Sequence, residues 1–372
     1  MPPFPFAWAE GDAPATLALR CLADLEPLPD GDGVLGLVYA SGVIGSRLDE
    51  ALDALRASLP RVTWIGTVGD GLAVTGREVY DAPALAVMLA DLAPGSFQLV
   101  APDGDRLPGE IGRWLAGREG AFALMHGDPT DAATPLLLSQ LAQEAGVGFV
   151  NGGLSASTSA HVQVAGEVRR GGLSGVLIDP SVAILTDHTQ GCTPLGPVHA
   201  LSEVQRNIAV RLDGRPALDV LREDVGEVIA RDLQRMGGYI FAALPVPRTD
   251  TGDYLVRNLV GIDPQRGLVA VGDDLEGQES LMFCRRDGNS AREDLERMLD
   301  RLRRRLDGRV PRGGVYVSCV GRGRHQFGDR SEELRAIRDG LGEFPLVGFF
   351  ANGEIYNGRL YGYTGVLTLF VD

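Results

Sequence analysis

The chain has 372 residues, of which 44% are hydrophobic and 23% charged, with 50 glycines and a formal net charge of −15. This composition is typical of a soluble globular α/β protein, its length favours two domains, and its negative charge argues against general binding to nucleic acids or anionic membranes. All 35 basic residues are arginines, which excludes a Schiff-base lysine, a Walker-A lysine and a lysine general base.

The first third of the chain predicts an alternation of helices and strands. The predicted elements are a helix at 14–25, a strand at 34–41, an amphipathic helix at 49–59, a strand with a glycine turn at 62–71, and a strand at 84–92. The helices are predicted from apolar residues spaced three or four apart, and the strands from short apolar runs.

The same order recurs twice. It is predicted again from the strand at 121–127, the helix at 134–145, the turn VGFVNGG and a closing strand within 171–185, and once more from the strand at 314–321, the helix at 331–341, the turn VGFFANG and the strand at 365–372. Such repetition predicts three β-α-β-β units. The first two strands of each unit should be parallel and the third antiparallel, which gives layered mixed sheets with helices packed on them.

Different material separates the second and third units. It predicts one or two helices at 217–237, short strands within 239–272, and an amphipathic helix at 290–308 that turns Leu295, Met298, Leu302 and Leu306 inward. We therefore predict a domain boundary near residue 230.

The glycine turns IGTVGDG, VGFVNGG and VGFFANG share two glycines five residues apart, with the first glycine placed at positions 66, 148 and 348. Glycine permits close approach of a ligand or of another backbone, and exposed N–H groups at such bends favour anions. Three such turns could line one pocket, to which Asn151, Gly152 and Asn352 would contribute. The alternative is that the glycines serve tight corners and packing alone.

The stretch SCVGRGRHQFG places Cys319 beside Arg322 and Arg324, directly after a predicted strand. A neighbouring arginine stabilises a thiolate, and a guanidinium suits a carboxylate or phosphate. Cys319 is therefore a candidate reactive or ligand-contacting thiol, and the alternative is a small buried core residue. The five histidines show no metal-binding spacing, so no metal site is predicted.

The four cysteines lie far apart without a C-x-x-C pair, which favours reduced thiols over disulfide or zinc frameworks. The opening MPPFPFAWAEGD lacks the basic start and apolar core of a signal peptide, and no apolar run reaches the roughly 18 residues of a membrane span. We expect a cytoplasmic protein.

Several motifs in order resemble those of FIST-domain proteins: WIGTVGDGLAVTG, QGCTPLGPV, VRNLVGIDPQRGLVAVGDDLEGQESLMFCRRD, SCVGRG and PLVGFFANGEI. The resemblance covers roughly residues 30 to 372 and implies a FIST N-terminal region at 31–230 and a FIST C-terminal region at 231–372, which the predicted N-terminal helix and linker at 1–30 precede. It also implies a sensory module that binds a small ligand. The motif positions that it marks are Cys319, Gly321, Arg322, Gly323, Gly353 and Glu354, and more weakly Gln190 and Gly191.

The sequence therefore predicts a sensor that binds an amino acid or another carboxylate through Arg322 and the turn amides, and that signals through a separate protein partner. Two alternatives remain open. Some stand-alone bacterial members of the family are described as haem-binding nitric-oxide sensors, which would make haem a cofactor. A Cys-dependent enzyme would use Cys319 as its nucleophile.

Overall fold

The computed structural model describes residues 1–29, 31, 33–226, 238–246 and 254–372. The chain forms two compact units, of which the first comprises Met1–Thr189 with Leu295–Asp372 and the second comprises Gln190–Asp294. The boundary predicted near residue 230 lies outside the described residues. The contacts within the chain divide it at two points and not at one, because the second unit is an insertion whose two ends both join the first unit.

The first unit begins with two consecutive repeats. The first repeat contains β1 (Phe6–Glu10), α1 (Pro14–Asp24), β2 (Val34–Ser41), α2 (Leu48–Ser58), β3 (Thr63–Gly69), the hairpin of β4 (Gly71–Val74) and β5 (Arg77–Tyr80), and β6 (Ala84–Asp91). The second repeat contains β7 (Phe97–Val100), α3 (Gly109–Leu115), β8 (Ala121–Gly127), α4 (Ala133–Gln143), β9 (Val147–Leu154), the hairpin of β10 (Gln163–Ala165) and β11 (Glu167–Arg169), and β12 (Leu173–Ile178).

The third repeat opens with β13 (Ile184–Thr189) and is then interrupted by the second compact unit. The interrupting elements are β14 (Cys192–Pro194), β15 (His199–Gln205), β16 (Ile208–Leu212), β17 (Arg215–Pro216), α5 (Ala217–Val225), β18 (Ile240–Pro245), β19 (Tyr254–Asp263), β20 (Leu268–Val271) and β21 (Ser280–Arg286). The repeat resumes with α6 (Gly288–Leu306), β22 (Gly313–Cys319), α7 (Glu332–Leu341), β23 (Leu346–Ala351), the hairpin of β24 (Glu354–Tyr356) and β25 (Arg359–Tyr361), and β26 (Gly365–Phe370).

Each repeat builds one six-stranded mixed sheet. Its parallel pair is β2 with β3, β8 with β9, or β22 with β23, and the strand that closes the repeat, β6, β12 or β26, pairs antiparallel with the first of them. These findings confirm the predicted α/β class with mixed sheets built from three β-α-β-β repeats. The closing strand predicted within 171–185 is confirmed as β12 (Leu173–Ile178), while the last two residues of that stretch begin β13, which belongs to the third sheet.

The hairpin of each repeat leaves its own sheet and completes another. The hairpin β4–β5 pairs with β23 of the third repeat, β10–β11 with β3 of the first, and β24–β25 with β9 of the second. This exchange is cyclic, so the three sheets are joined to one another by main-chain hydrogen bonds as well as by side-chain packing.

One apolar core collects side chains from all three sheets, among them Leu37, Leu72, Leu124, Val317 and Phe349. A second core lies between the first sheet and helices α1 and α2, where Leu17, Cys21 and Leu25 are buried as their spacing predicted. The predicted inward face of α6 is confirmed too, since Leu295, Met298, Leu302 and Leu306 are each at most 4% exposed.

The second compact unit contains a seven-stranded antiparallel path from β14 to β18, with β17 added beside β16, and the helix α5. Within it, His199 is held by two carboxylates: its Nδ1 lies 2.6 Å from Asp213 and its Nε2 lies 2.9 Å from Asp224. Burial opposes the charged imidazole, but the two hydrogen bonds and charges outweigh it and raise the pKa of His199. His199 therefore links β15, the turn after β16 and α5 through these two hydrogen bonds.

Among the described helices, none is both long and apolar enough to cross a membrane.

Candidate functional site

The three glycine turns meet in a closed ring of backbone hydrogen bonds. The amide of Asp70 donates to the carbonyl of Phe350 (3.0 Å), that of Ala156 to Val68 (3.0 Å), and that of Asn352 to Leu154 (3.1 Å). Each bond joins the turn of one repeat to the strand of another, in the same cyclic order as the hairpin exchange. The turns therefore converge as the sequence predicted, but these three amides are committed to main-chain acceptors and not to an anion.

Structurally equivalent glycines lie just before this ring. A Cβ on Gly66, Gly152 or Gly348 would lie 1.7, 1.7 or 1.8 Å from a carbonyl oxygen of the parallel neighbouring strand, on Val38, Met125 or Tyr316 respectively. The sequence predicts Gly148 as the equivalent of Gly66 and Gly348, which is wrong by four residues. Gly152, with a φ of 140°, is the true equivalent. The glycines thus permit close packing of parallel strands, which is the alternative that the sequence left open.

Aromatic rings fill the space between the sheets beside this ring of bonds. Tyr39, His126 and Phe349 come from three different repeats, with ring centroids 5.2 to 5.9 Å apart. The Tyr39 hydroxyl lies 3.1 Å from Nε2 of His126, and burial lowers the pKa of His126 to about 3, so its ring is neutral. The hollow that the three turns were predicted to line is occupied by these side chains.

Arg322 is fully buried and paired with Glu333 of α7. Its Nε donates to Oε1 of Glu333 at 2.8 Å, and its Nη2 lies 2.7 Å from the same oxygen. Glu333 also accepts from the hydroxyls of Tyr316 (2.7 Å) and Ser318 (3.2 Å) and from the amide of Gly323 (2.8 Å). Such a satisfied network rigidifies the loop after β22. The guanidinium of Arg322, which was predicted to bind the carboxylate of a ligand, is thus paired with the carboxylate of Glu333.

Cys319 and Glu354 lie together at the end of β22. Glu354 is fully buried, and the hydroxyl and amide of Thr364 donate to its Oε2 at 2.7 and 3.0 Å. Burial raises the pKa of Glu354 to about 8, although Thr364, Arg322 and the Cys319 thiol favour its charged form. Cys319 is 7% exposed. The structure therefore joins three predicted site residues, Cys319, Arg322 and Glu354, in a buried cluster.

Arg324 lies nearer the surface. Its guanidinium stacks on the ring of Tyr80 at 4.4 Å and forms an ion pair with Asp81. The Tyr80 hydroxyl donates to Glu78 at 3.1 Å, and burial together with the charge of Glu333 raises the pKa of Glu78 to about 7. Arg324 thus attaches the hairpin β4–β5 to the third repeat.

The other predicted site residues do not form one cluster. Gly321 lies in the loop between Cys319 and Arg322, Asn352 is exposed in its turn, and the carbonyl of Gly353 accepts from the amide of Leu154 at 2.8 Å. Gln190 and Gly191 belong to the second compact unit, where both amides donate to Asp294 at 2.7 and 3.3 Å.

Asn151 contacts a residue that lines a cavity, and the sequence did not predict this cavity. Its side-chain amide donates to the hydroxyl of Thr186, and Thr186 lines a cavity of about 480 Å³ in the first unit. We call this the aromatic cavity and define it by Phe122, Phe149, Tyr356, Thr186 and Arg305. Its volume is within the range of small-molecule sites.

Three rings form one wall of the aromatic cavity. Phe122 and Phe149 are parallel with centroids 6.4 Å apart, and Phe149 meets Tyr356 edge-on at 5.2 Å. Arg305, near the C-terminal end of α6, is exposed and donates to the carbonyl of Thr186 at 2.7 Å. A carboxylate could be bound by this guanidinium while an apolar group contacts the rings.

Asp179, a residue of the wall of the aromatic cavity, belongs to a half-buried ion pair. It accepts from Arg118 at 2.9 Å, and Arg118 stacks on Trp114 at 4.6 Å. This carboxylate is therefore already paired, and Arg305 is the one cationic side chain among the described residues of the wall. The arginine run at 301–305 was the available sequence signal for this site, but it was interpreted as part of an amphipathic helix.

Haem needs an axial ligand such as histidine or a cysteine thiolate beside its cavity. Among the described residues, the wall of the aromatic cavity contains neither histidine nor cysteine. The wall does contain Tyr356, and tyrosine is also an axial ligand of haem iron in some proteins, so the haem alternative stays a prediction. The part of the chain that is described also contains no group of three His, Cys, Asp or Glu side chains arranged to hold a metal ion.

Comparison with known proteins finds two family models in tandem. The FIST N domain matches residues 34–215 and the FIST C domain matches residues 217–357. An uncharacterized protein of Mycobacterium tuberculosis is 32% identical over 380 residues, covering 93% of this chain and 94% of the relative. An uncharacterized protein of Mycobacterium bovis is 30% identical over 356 residues, covering 89% of this chain and 90% of the relative.

Proposed function

Because the chain belongs to the FIST family, whose domains are generally regarded as sensory domains in signal transduction, we propose that it senses a small metabolite that carries a carboxylate, such as an amino acid or another organic acid. The ligand occupies the aromatic cavity. The buried cluster around Arg322 and Glu354 joins residues of the third repeat to one another and does not contact the ligand.

The observation that carries this proposal is the placement of one exposed arginine beside an aromatic wall. Arg305 supplies the charge for a carboxylate, and Phe149 and Tyr356 supply apolar surface. Small-molecule sites commonly combine aromatic surface with a few polar groups that fix the orientation of the ligand. This assignment replaces Arg322, whose guanidinium is paired with Glu333.

The connectivity of the chain suggests how binding is passed on. Thr186 lies on β13 and Arg305 lies on α6, and these two elements lead into and out of the inserted residues 190–294. A ligand that contacts both residues favours one arrangement of these segments over another. Such differential affinity is what a ligand needs in order to shift a conformational equilibrium that a separate signalling partner detects.

A ligand screen with matched variants tests the proposal. The purified chain is titrated with a panel of amino acids and organic acids by thermal shift, and hits are measured by isothermal titration calorimetry. Arg305→Ala removes charge-assisted hydrogen bonds and should weaken binding by about tenfold or more. Arg304→Ala, an exposed neighbour on the same helix that lies outside the cavity wall, is the control and should bind normally.

Two results would contradict the proposal. One is a panel in which no carboxylate shifts the melting temperature. The other is equal weakening of binding by Arg304→Ala and Arg305→Ala, which would show that general surface charge is responsible. A hit weakened by Arg305→Ala alone would support the cavity as the site.

A further inference from the structure

A second cavity of about 480 Å³ lies in the first compact unit, near the start of the chain. We call it the proline cavity. It is lined mainly by apolar groups, among them Pro2, Phe4, Phe6, Pro27 and Leu28. Its charged lining residues are Arg312, Glu26 and Asp91.

The proline cavity and the aromatic cavity occupy corresponding places in the repeated fold. The proline cavity is formed by β1 with the residues before it, the chain that follows α1, and the start of β22. The aromatic cavity is formed by β13 with the residues before it, the end of α6, and the start of β8. The strand register supports this correspondence. Ala7 of β1 pairs with Val87 of β6, and Asp187 of β13 pairs with Leu367 of β26. Val87 and Leu367 occupy equivalent positions of their repeats.

The charges around the two cavities differ. In the proline cavity, Arg312 is 8% exposed and its guanidinium stacks on Phe4 at 4.4 Å. Its Nε donates to the carbonyl of Pro2 at 3.1 Å and lies 3.8 Å from a carboxylate oxygen of Asp372, which also pairs with the N-terminal ammonium of Met1. Glu26 and Asp91 are exposed. Two exposed carboxylates and one buried guanidinium are therefore the charged groups that line this cavity.

We propose that the proline cavity is a second ligand site, which takes a small organic ammonium ion with an apolar body. The apolar body would lie against the proline and phenylalanine rings, and the ammonium group would lie at the rim near Glu26 and Asp91. An apolar wall supplies most of the contact in such sites, and the net charge of −15 adds a favourable long-range field for a cation. The site is distinct from the carboxylate site of the proposed function.

Two probes with the same apolar body test the sign of the charge. The full chain is titrated calorimetrically with 4-phenylbutylammonium and with 4-phenylbutanoate. Leu28→Trp adds bulk to the wall of the proline cavity and should weaken binding of the ammonium probe by tenfold or more. Leu19→Trp makes the same change at an exposed position on α1, outside the cavity, and should leave binding unchanged.

A rim variant tests the electrostatic part. Asp91→Asn should weaken binding of the ammonium probe about two- to fivefold at low salt, and less at high salt, because exposed charge pairs are weak and screened. The proposal is overturned if Leu28→Trp binds the ammonium probe as tightly as Leu19→Trp does. It is also overturned if Leu28→Trp weakens the carboxylate probe as much as the ammonium probe. The first outcome uses the ammonium probe alone and does not depend on Arg305, so it is independent of the proposed function.

Discussion

The buried pair of Arg322 and Glu333 offers the sharpest energetic test of the fold. Both side chains are 0% exposed, and one carboxylate accepts from the guanidinium, two hydroxyls and one backbone amide. Arg322→Met removes the compensating charge but keeps an apolar side chain of similar length. Breaking a buried pair by removing one partner leaves an uncompensated charge and typically costs about 3–5 kcal/mol.

We therefore expect Arg322→Met to lower the free energy of unfolding of the first compact unit by about 3–5 kcal/mol, measured by urea denaturation with circular dichroism. The control is Arg338→Met on α7, whose half-exposed guanidinium pairs with the neighbouring Asp339. It should leave the midpoint of denaturation unchanged.

The coupling between the two residues can be measured separately. Glu333→Gln keeps the shape and one acceptor but removes the charge that Arg322 compensates. The double variant should then be less destabilised than the sum of the single variants, by about 0.5–3 kcal/mol. Additive losses, or a loss below about 1 kcal/mol for Arg322→Met, would refute the structural role and return Arg322 to the ligand-binding role that its sequence motif suggested.

Two further predictions concern the strand contacts and the second compact unit. Gly152→Ala should prevent folding or cost more than about 3 kcal/mol, because its Cβ would lie 1.7 Å from the carbonyl oxygen of Met125. Gly109→Ala, whose Cβ would meet no atom within 4 Å, should be neutral in the same thermal melts, and equal effects of the two variants would contradict the close packing. Since the pKa of His199 is raised in the folded state, its stabilisation should be complete below its ordinary value of about 6.5 and be lost as the pH rises through the raised value. Urea melts across this window should show the loss in the wild type and a smaller pH dependence in His199→Asn, and identical pH profiles would show that the two carboxylates do not stabilise the imidazolium.

Local elements of the fold follow well from the sequence. The strands at 34–41 and 121–127 and the inward face of α6 are found where apolar spacing predicts them. The exchange of hairpins could not be predicted in this way, because it depends on which distant strand offers a free edge. The sequence of β4 shows that it is apolar, but nothing in it names β23 as its partner.

The site was predictable in part. The sequence motifs brought Cys319, Arg322 and Glu354 together correctly, since all three flank the end of β22. The pairing of Arg322 with Glu333 was missed because Glu333 lies on the next helix, eleven residues away, among other charged residues. The error at Gly148 has a similar cause. The stretch between β9 and β10 is longer than the equivalent stretches between β3 and β4 and between β23 and β24. Alignment of the three turns by residue type therefore placed Gly148 where Gly152, four residues later, is equivalent.

The cyclic exchange of hairpins has a consequence for how such a chain could arise. A single repeat lacks the two strands that complete its sheet and offers two strands that no sheet of its own accepts. Three separate copies of one such segment would supply each sheet with its two missing strands by swapping hairpins around a threefold axis, as domain-swapped oligomers do. A symmetric trimer of a short ancestral polypeptide is therefore a natural precursor, and gene fusion would later have freed one of its junctions to accept the inserted residues 190–294.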